Sequence, residues 1–335
     1  MQIAGPSSPP PRSRLSIAVR ILFVFLVILV FAGFLYENVS EARDRRFNHM
    51  PGQRIDVGGY KMHIVCAGQG SPTVILESGL GDTYVSWRKV QPQIAKFARV
   101  CSYDRAGLGF SDPSSRPHTS HVMAEELHAL LRAANVAPPY VLVGHSMGGF
   151  NVRLFASLYR SEVAGMVLVD ASHPDQENRL PPELKNMESS WLREAEFLEY
   201  TMPLGVPRLL DLCEPDPVPR TAECNFHSQR ENVAELKAFP ESAAETAASG
   251  TLGDLPLAVL SHDPERSSAD LPPVLAKPTN EAWEKLQEEL AQLSSRGTQA
   301  IAKGSAHYIQ IDRPDVVIDA VHNVVDQSRS ATSTK

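Results

Sequence analysis

The chain carries two kinds of apolar pattern. Residues 21–36, Ile-Leu-Phe-Val-Phe-Leu-Val-Ile-Leu-Val-Phe-Ala-Gly-Phe-Leu-Tyr, run without a charge. With Leu15 to Val19 they make a span of about 20 residues, long enough to cross a bilayer as a helix. Arg20 is the one charge inside it and can reach towards an interface. A helix on a soluble core needs one apolar stripe, whereas this one is apolar on every face. From about residue 53 short apolar runs alternate with helical stripes. The pattern predicts strands at 54–57 and 60–66 joined at Gly58-Gly59, then strands at 73–77, 99–103, 139–143 and 165–170. Between them it predicts helices around 87–97, 120–135 and 150–159. Such alternation implies a mostly parallel sheet covered on both faces. The rhythm breaks at about residue 172. Residues 172–254 are rich in Glu, Pro and Ala and read as a helical cap over the sheet edge. A strand at 255–260 resumes the sheet. It is followed by an amphipathic helix at 280–295, with Trp283, Leu286, Leu290 and Leu293 on one face, then a strand at 298–303 and a helix at 312–326.

These readings divide the chain into a tail (1–14), a transmembrane segment (15–36), a linker (37–52), a core (53–171 and 255–327), the cap (172–254) and a closing tail (328–335). The 335 residues are 43% hydrophobic and 21% charged, an ordinary globular composition. The net charge of −7 comes with no basic block, which argues against a nucleic-acid partner. No small-x-small cleavage site follows Tyr36, so the apolar span reads as a retained single-pass signal anchor. Arg12, Arg14 and Arg20 precede the apolar core, and Arg43, Arg45 and Arg46 follow it. Counting basic residues gives a tie, and the expected orientation puts the folded domain outside the cytoplasm. The cysteines are Cys66, Cys101, Cys213 and Cys224, with no C-x-x-C that would suggest zinc or redox chemistry. Cys213 and Cys224 flank a Pro-rich loop. They suit either a disulfide in an oxidising compartment or two free core thiols, and the sequence leaves both open.

The sharpest chemical signal is Val143-Gly144-His145-Ser146-Met147-Gly148-Gly149. It is a G-x-S-x-G pattern set between an apolar strand and a helix, the setting that makes a serine a nucleophile. Its glycines remove collisions across a tight turn. A free hydroxyl attacks poorly and needs a base within reach. Loops at the carboxyl ends of parallel strands converge, so that base can lie far away in sequence.

Four segments occur in one order: Glu77-Ser78-Gly79-Leu80-Gly81, Tyr103-Asp104-Arg105-Ala106-Gly107-Leu108-Gly109, the elbow at Ser146, and Gly304-Ser305-Ala306-His307-Tyr308. On these the chain resembles the α/β-hydrolase superfamily, in its serine-hydrolase, esterase/lipase-like branch, over residues 53–327. The resemblance implies an α/β-hydrolase fold with a mostly parallel, doubly wound sheet. The cap is then inserted after the strand that follows the elbow helix. It implies Ser146 as nucleophile and His307 as base, while His145 points away from its neighbour. The acid that orients the base is expected either after the penultimate strand, at Asp263 or Glu265, or at Asp170; Asp170 is preferred and the choice stays open. The backbone N–H groups of Met147 and Leu80 are the expected oxyanion donors. Ser78 stands where many relatives have histidine, and Asp104 and Arg105 are expected to hold their loop. No metal or organic cofactor is implied.

Epoxide hydrolases and haloalkane dehalogenases share the fold but need a carboxylate nucleophile, so Ser146 counts against both. The expected activity is hydrolysis of an ester or related acyl bond, with a hydrophobic ester as substrate and the membrane engaged through 15–36. A peptidase or amidase of the same mechanism, and a ligand-binding or receptor domain with little turnover, are the alternatives.

Overall fold

The computed structural model describes residues 14–47, 50–213, 217–269 and 271–333. The core is an eight-stranded sheet of β1 (Gln53–Asp56), β2 (Lys61–Ala67), β3 (Thr73–Glu77), β4 (Val100–Tyr103), β5 (Tyr140–His145), β6 (Val163–Val169), β7 (Leu257–His262) and β8 (Gly297–Ala302). Their order across the sheet is β1-β2-β4-β3-β5-β6-β7-β8. β1 and β2 pair antiparallel, as do β2 and β4; all other pairs are parallel. Parallel strands need crossovers, and these are supplied by helices. In chain order the helices are α1 (Arg14–Phe47), α2 (Gln91–Ile94), α3 (Ser120–Ala133), α4 (Gly148–Leu158), α5 (Gln176–Arg179), α6 (Glu183–Thr201), α7 (Val206–Leu209), α8 (Pro217–Glu223), α9 (Phe226–Ala247), α10 (Pro264–Ser267), α11 (Pro273–Ala291), α12 (Ile309–Asp312) and α13 (Pro314–Ser333).

Both sheet faces are buried, which explains why β5 reads as an unbroken apolar run. Tyr140 and Leu142 enter the core on one face with Leu127, Leu130 and Phe155. Val141 and Val143 enter the core on the other with Trp87, Ile94 and Val321. The 172–254 segment is helical throughout its main elements, α5 to α9, and α9 lies across α3 and α4.

Several boundaries differ from the sequence pattern, each for a local reason. The predicted helix at 87–97 is a 3-10 turn at Tyr84–Trp87 followed by the four-residue α2. Pro92 stands in the first turn of α2 and has no N–H to continue a helix through Arg88. The 37–52 linker is helical as far as Phe47, because α1 runs 34 residues without a break. Buried Glu37 and Asp44 give that extension a packing reason. The 328–335 tail is helical through Ser333 as the end of α13, and Ser328 bonds its hydroxyl to the Ala164 carbonyl at 2.9 Å. The 280–295 helix begins earlier, at Pro273. Except for Arg14, the 1–14 tail lies outside the described residues.

Both cysteine pairs are disulfides: Cys66–Cys101, facing each other across β2 and β4, and Cys213–Cys224 in the cap. The first pair was not expected from spacing, because residues 35 apart become partners only once β2 and β4 pair.

Candidate active site

β5 ends at His145 and α4 begins at Gly148, leaving a turn in which Ser146 adopts φ +52°. A non-glycine residue in this left-handed region is strained and must be held by its surroundings. Its N–H donates to the Val169 carbonyl at 3.2 Å, and its carbonyl accepts from Ser172 at 3.0 Å and Gly149 at 2.9 Å. The glycines are required by contact. A Cβ on Gly144 would stand 2.6 Å from the Gly148 carbonyl oxygen, and one on Gly148 would stand 2.6 Å from that of Ser78.

Asp170, just past β6, is fully buried and also left-handed, at φ +42°. Its Oδ2 accepts from His307 Nδ1 at 2.6 Å and from His262 Nδ1 at 2.8 Å. Its Oδ1 accepts from Trp283 Nε1 at 2.9 Å and from the His262 backbone N–H at 3.1 Å. Burial pushes the Asp170 pKa up, but the hydrogen bonds and charges of His262 and His307 outweigh it and hold the carboxyl well below the usual range. His307 moves the other way. Burial works against its charge, yet the hydrogen bond and charge of Asp170, with a contribution from Asp82, raise its pKa above the ordinary 6.5. With Nδ1 committed to Asp170, Nε2 is the ring nitrogen left to exchange a proton.

Of the three carboxylates considered for this position, Asp170 is the one brought to His307. Asp263 caps α10, accepting from the Glu265 N–H at 3.2 Å, and its other oxygen accepts from the Gly304 N–H at 2.8 Å. It therefore shapes the turn that leads to His307 without touching the ring. Glu265 lies in the first turn of α10. His262 and Trp283 were not singled out as site residues from sequence. His262 ends β7, and only the pairing of β6 with β7 places it on Asp170.

The loop expected to supply oxyanion donors is braced from beneath. Arg105, buried, donates to the carbonyls of Ser78 at 2.8 Å and Gly79 at 2.6 Å. It also binds Glu77 at 2.8 Å and, from the cap helix α9, Glu235 at 2.6 Å and 2.8 Å. Burial disfavours its charge, but Glu235 and Glu77 overcome this and hold the guanidinium firmly protonated. Glu235 accepts from the Gly81 N–H at 2.7 Å, so the cap holds the same loop. Ser78 donates to the Thr83 carbonyl at 2.9 Å and accepts from Trp87 Nε1 at 3.1 Å. Among the described residues the N–H groups of Leu80 and Met147 have no hydrogen-bond partner. Their side chains pack in one apolar cluster with Phe150 and Phe239.

His145 turns away from Ser146. It is buried, its Nε2 donates to the His307 carbonyl at 3.1 Å, and its ring lies 4.7 Å from that of His307. Desolvation lowers its pKa and keeps it neutral, so it steadies the His307 loop. Ser146, His307 and Leu80 line one cavity of about 540 Å³. Leu192, Leu236 and Phe239 supply apolar wall from the cap, and the volume suits a small organic molecule. Ser146 Oγ makes no hydrogen bond to His307; catalytic contacts of this kind often tighten only around substrate. No group of three His, Cys, Asp or Glu side chains among the described residues is placed to hold a metal ion.

A family model described as the alpha/beta hydrolase fold matches residues 72–223, the stretch that runs from β3 through the elbow into the cap. The chain has the α/β-hydrolase fold. It is similar to the uncharacterized protein YqjL of Bacillus subtilis, 26% identical over 262 residues, 77% of this chain and 85% of YqjL. It also resembles epoxide hydrolase 3 of Xenopus tropicalis, 29% identical over 124 residues, 36% of this chain and 34% of that one. Among solved structures, a thermophilic esterase from Thermogutta terrifontis superposes with a TM-score of 0.57 at 21% identity, covering 82% of this chain and 98% of the esterase. A likeness at that identity shows the fold. The family match and the fold support a hydrolase acting on a small molecule. At the N-terminus α1 is long and apolar enough to cross a membrane.

Proposed function

We propose that the protein is a serine hydrolase that cleaves an ester or related acyl bond through an acyl-enzyme at Ser146, acting on a hydrophobic substrate. The observation that carries the reading is the 2.6 Å bond from His307 Nδ1 to buried Asp170, with His307 and Ser146 lining one cavity. That bond fixes the tautomer with a proton on Nδ1 and a lone pair on Nε2. Ser146 Oγ attacks the carbonyl carbon and its proton passes to Nε2, while the Asp170 carboxylate stabilises the imidazolium. The N–H groups of Leu80 and Met147 take the developing oxyanion, each contributing roughly 3 kcal/mol of transition-state stabilisation. The tetrahedral intermediate collapses, and the leaving alcohol departs with the proton from His307. Water, activated by the same ring, then hydrolyses the acyl-enzyme and restores the Ser146 hydroxyl.

The serine itself favours this chemistry over epoxide opening, for which a carboxylate would have to stand at the elbow. The apolar cavity wall favours a hydrophobic acyl group. We place the hydrolase domain outside the cytoplasm behind a retained anchor at 15–36. Two disulfides support that side, since such bonds persist in oxidising compartments. The test is labelling with a fluorophosphonate followed by an ester panel of increasing acyl length. Wild type should label and Ser146→Ala should not. A folded wild type that resists the probe would leave a ligand-binding domain as the better account, and preference for anilides over esters would point to an amidase.

A further inference from the structure

The N-terminal helix and the cap meet in a contact that the hydrolysis step does not use. Gly33 of α1 lies against the backbone of Leu204, whose carbonyl oxygen would be 2.5 Å from a Cβ at that position. Gly205, at φ +69°, lies as close to the Tyr36 ring, 2.6 Å from a Cβ. Beyond them Arg208 reaches Glu37 at 2.9 Å and Asp44 at 2.5 Å, with all three side chains almost wholly covered. Arg208 also donates to the carbonyl of Cys224, at the disulfide that closes the neighbouring cap loop. Charges taken out of water persist only with close, well-oriented partners, so this is a fixed dock rather than a passing surface pair.

The dock sets the depth of the cap. Gly33 and Tyr36 belong to the last turn of the apolar run, and a helix advances about 1.5 Å per residue. Leu204 and Gly205 therefore stand level with the end of that run, where acyl chains give way to headgroups if α1 spans the bilayer. The chain beside them exposes three leucines, Leu209 (64%), Leu210 (57%) and Leu212 (53%). On α6 Phe197 and Tyr200 are exposed as well. Clustered apolar side chains left open next to a membrane helix are the signature of a surface that lies in the interface. From Tyr200, α6 leads back over nine residues, roughly 14 Å, to Trp191. Trp191 lines the Ser146 cavity and is 54% exposed, so it stands at the cavity mouth.

We propose that the face formed by the end of α6, α7 and residues 210–212 lies in the surface of the membrane that α1 spans, and that an acyl substrate reaches Ser146 from that membrane. The occupant of the exposed face is a lipid surface. The second half of the proposal rests on the serine-hydrolase reading, while the first rests on the dock and the exposed leucines.

The experiment uses the full chain in phosphatidylcholine vesicles with brominated acyl chains. In a Leu210→Trp variant, emission above the wild-type background should be quenched severalfold relative to unbrominated vesicles. The triple variant Leu209→Asp/Leu210→Asp/Leu212→Asp, checked for folding by circular dichroism, should lose at least about tenfold in turnover of a long-chain ester dissolved in the vesicles. It should keep wild-type turnover of a short, water-soluble ester. An unquenched Trp at position 210 overturns the proposal, and so does a triple variant that matches wild type on both esters. Quenching in a protein that hydrolyses neither ester would uphold the membrane contact and overturn the hydrolase reading.

Discussion

Asp170 carries more partners than orientation of one base requires. Two imidazoles, an indole and a backbone N–H converge on its carboxylate. Under the proposed mechanism the acid limb of the kcat/KM profile reports protonation of His307 and lies above pH 6.5, because Asp170 raises that pKa. Asp170→Asn removes the charge and should lower turnover by roughly 10³–10⁴-fold. The same change should move what remains of the acid limb to lower pH. His262→Ala predicts the opposite shift. With His262 gone, Oδ2 binds His307 alone and favours the imidazolium more strongly, so the limb should move to higher pH with a smaller loss of rate. Parallel shifts in both variants would contradict this account of the carboxylate. The turn at Ser146 and the His307 loop were legible in sequence because each sits in a short motif with a local reason for its shape. His262 and Trp283 were not, since they meet Asp170 across separations of 92 and 113 residues, one from strand β7 and the other from helix α11.

At the scale of elements, the elbow and the loop beside it are one packed unit. Gly148 faces the Ser78 carbonyl, which Arg105 also holds. Gly148→Ala should therefore cost about 1–3 kcal/mol through overpacking, seen as a lowered unfolding midpoint, and should reduce activity as well. Arg105→Met should be worse, about 3–5 kcal/mol, because it leaves Glu77 and Glu235 buried without their cation. Denaturant unfolding of the two variants ranks them directly. The strands were readable because a doubly covered sheet demands continuous apolar runs. The sequence pattern misplaced the ends of helices where a tertiary partner or a single proline decides them, as at Pro92 and along the second half of α1. The Arg105–Glu235 link joins core to cap over 130 residues, and no periodicity announces it.

The whole molecule consists of a hydrolase core, a cap and a helix longer than a bilayer needs. α1 has 34 residues, about 51 Å at the helical rise, against roughly 30 Å of hydrocarbon. The surplus is the part that binds Arg208. With four cysteines in two disulfides, the unreduced, unfolded chain should bind no alkylating reagent, and the reduced chain should bind four equivalents. Free thiols in the native preparation would remove the support for an extracytoplasmic domain. The long apolar helix, the sheet and the helical 172–254 segment were legible from hydropathy and rhythm, but the pairing of Cys66 with Cys101 and the dock on Arg208 depend on neighbours the sequence keeps far apart. The close approach of Gly33 to Leu204 has a kinetic meaning if the cap rests on the bilayer as proposed. A catalyst held at fixed height over a two-dimensional solvent responds to the mole fraction of substrate in that solvent, not to its molarity in the buffer. Adding inert lipid at constant total ester should then slow it in proportion, although nothing in the water has changed.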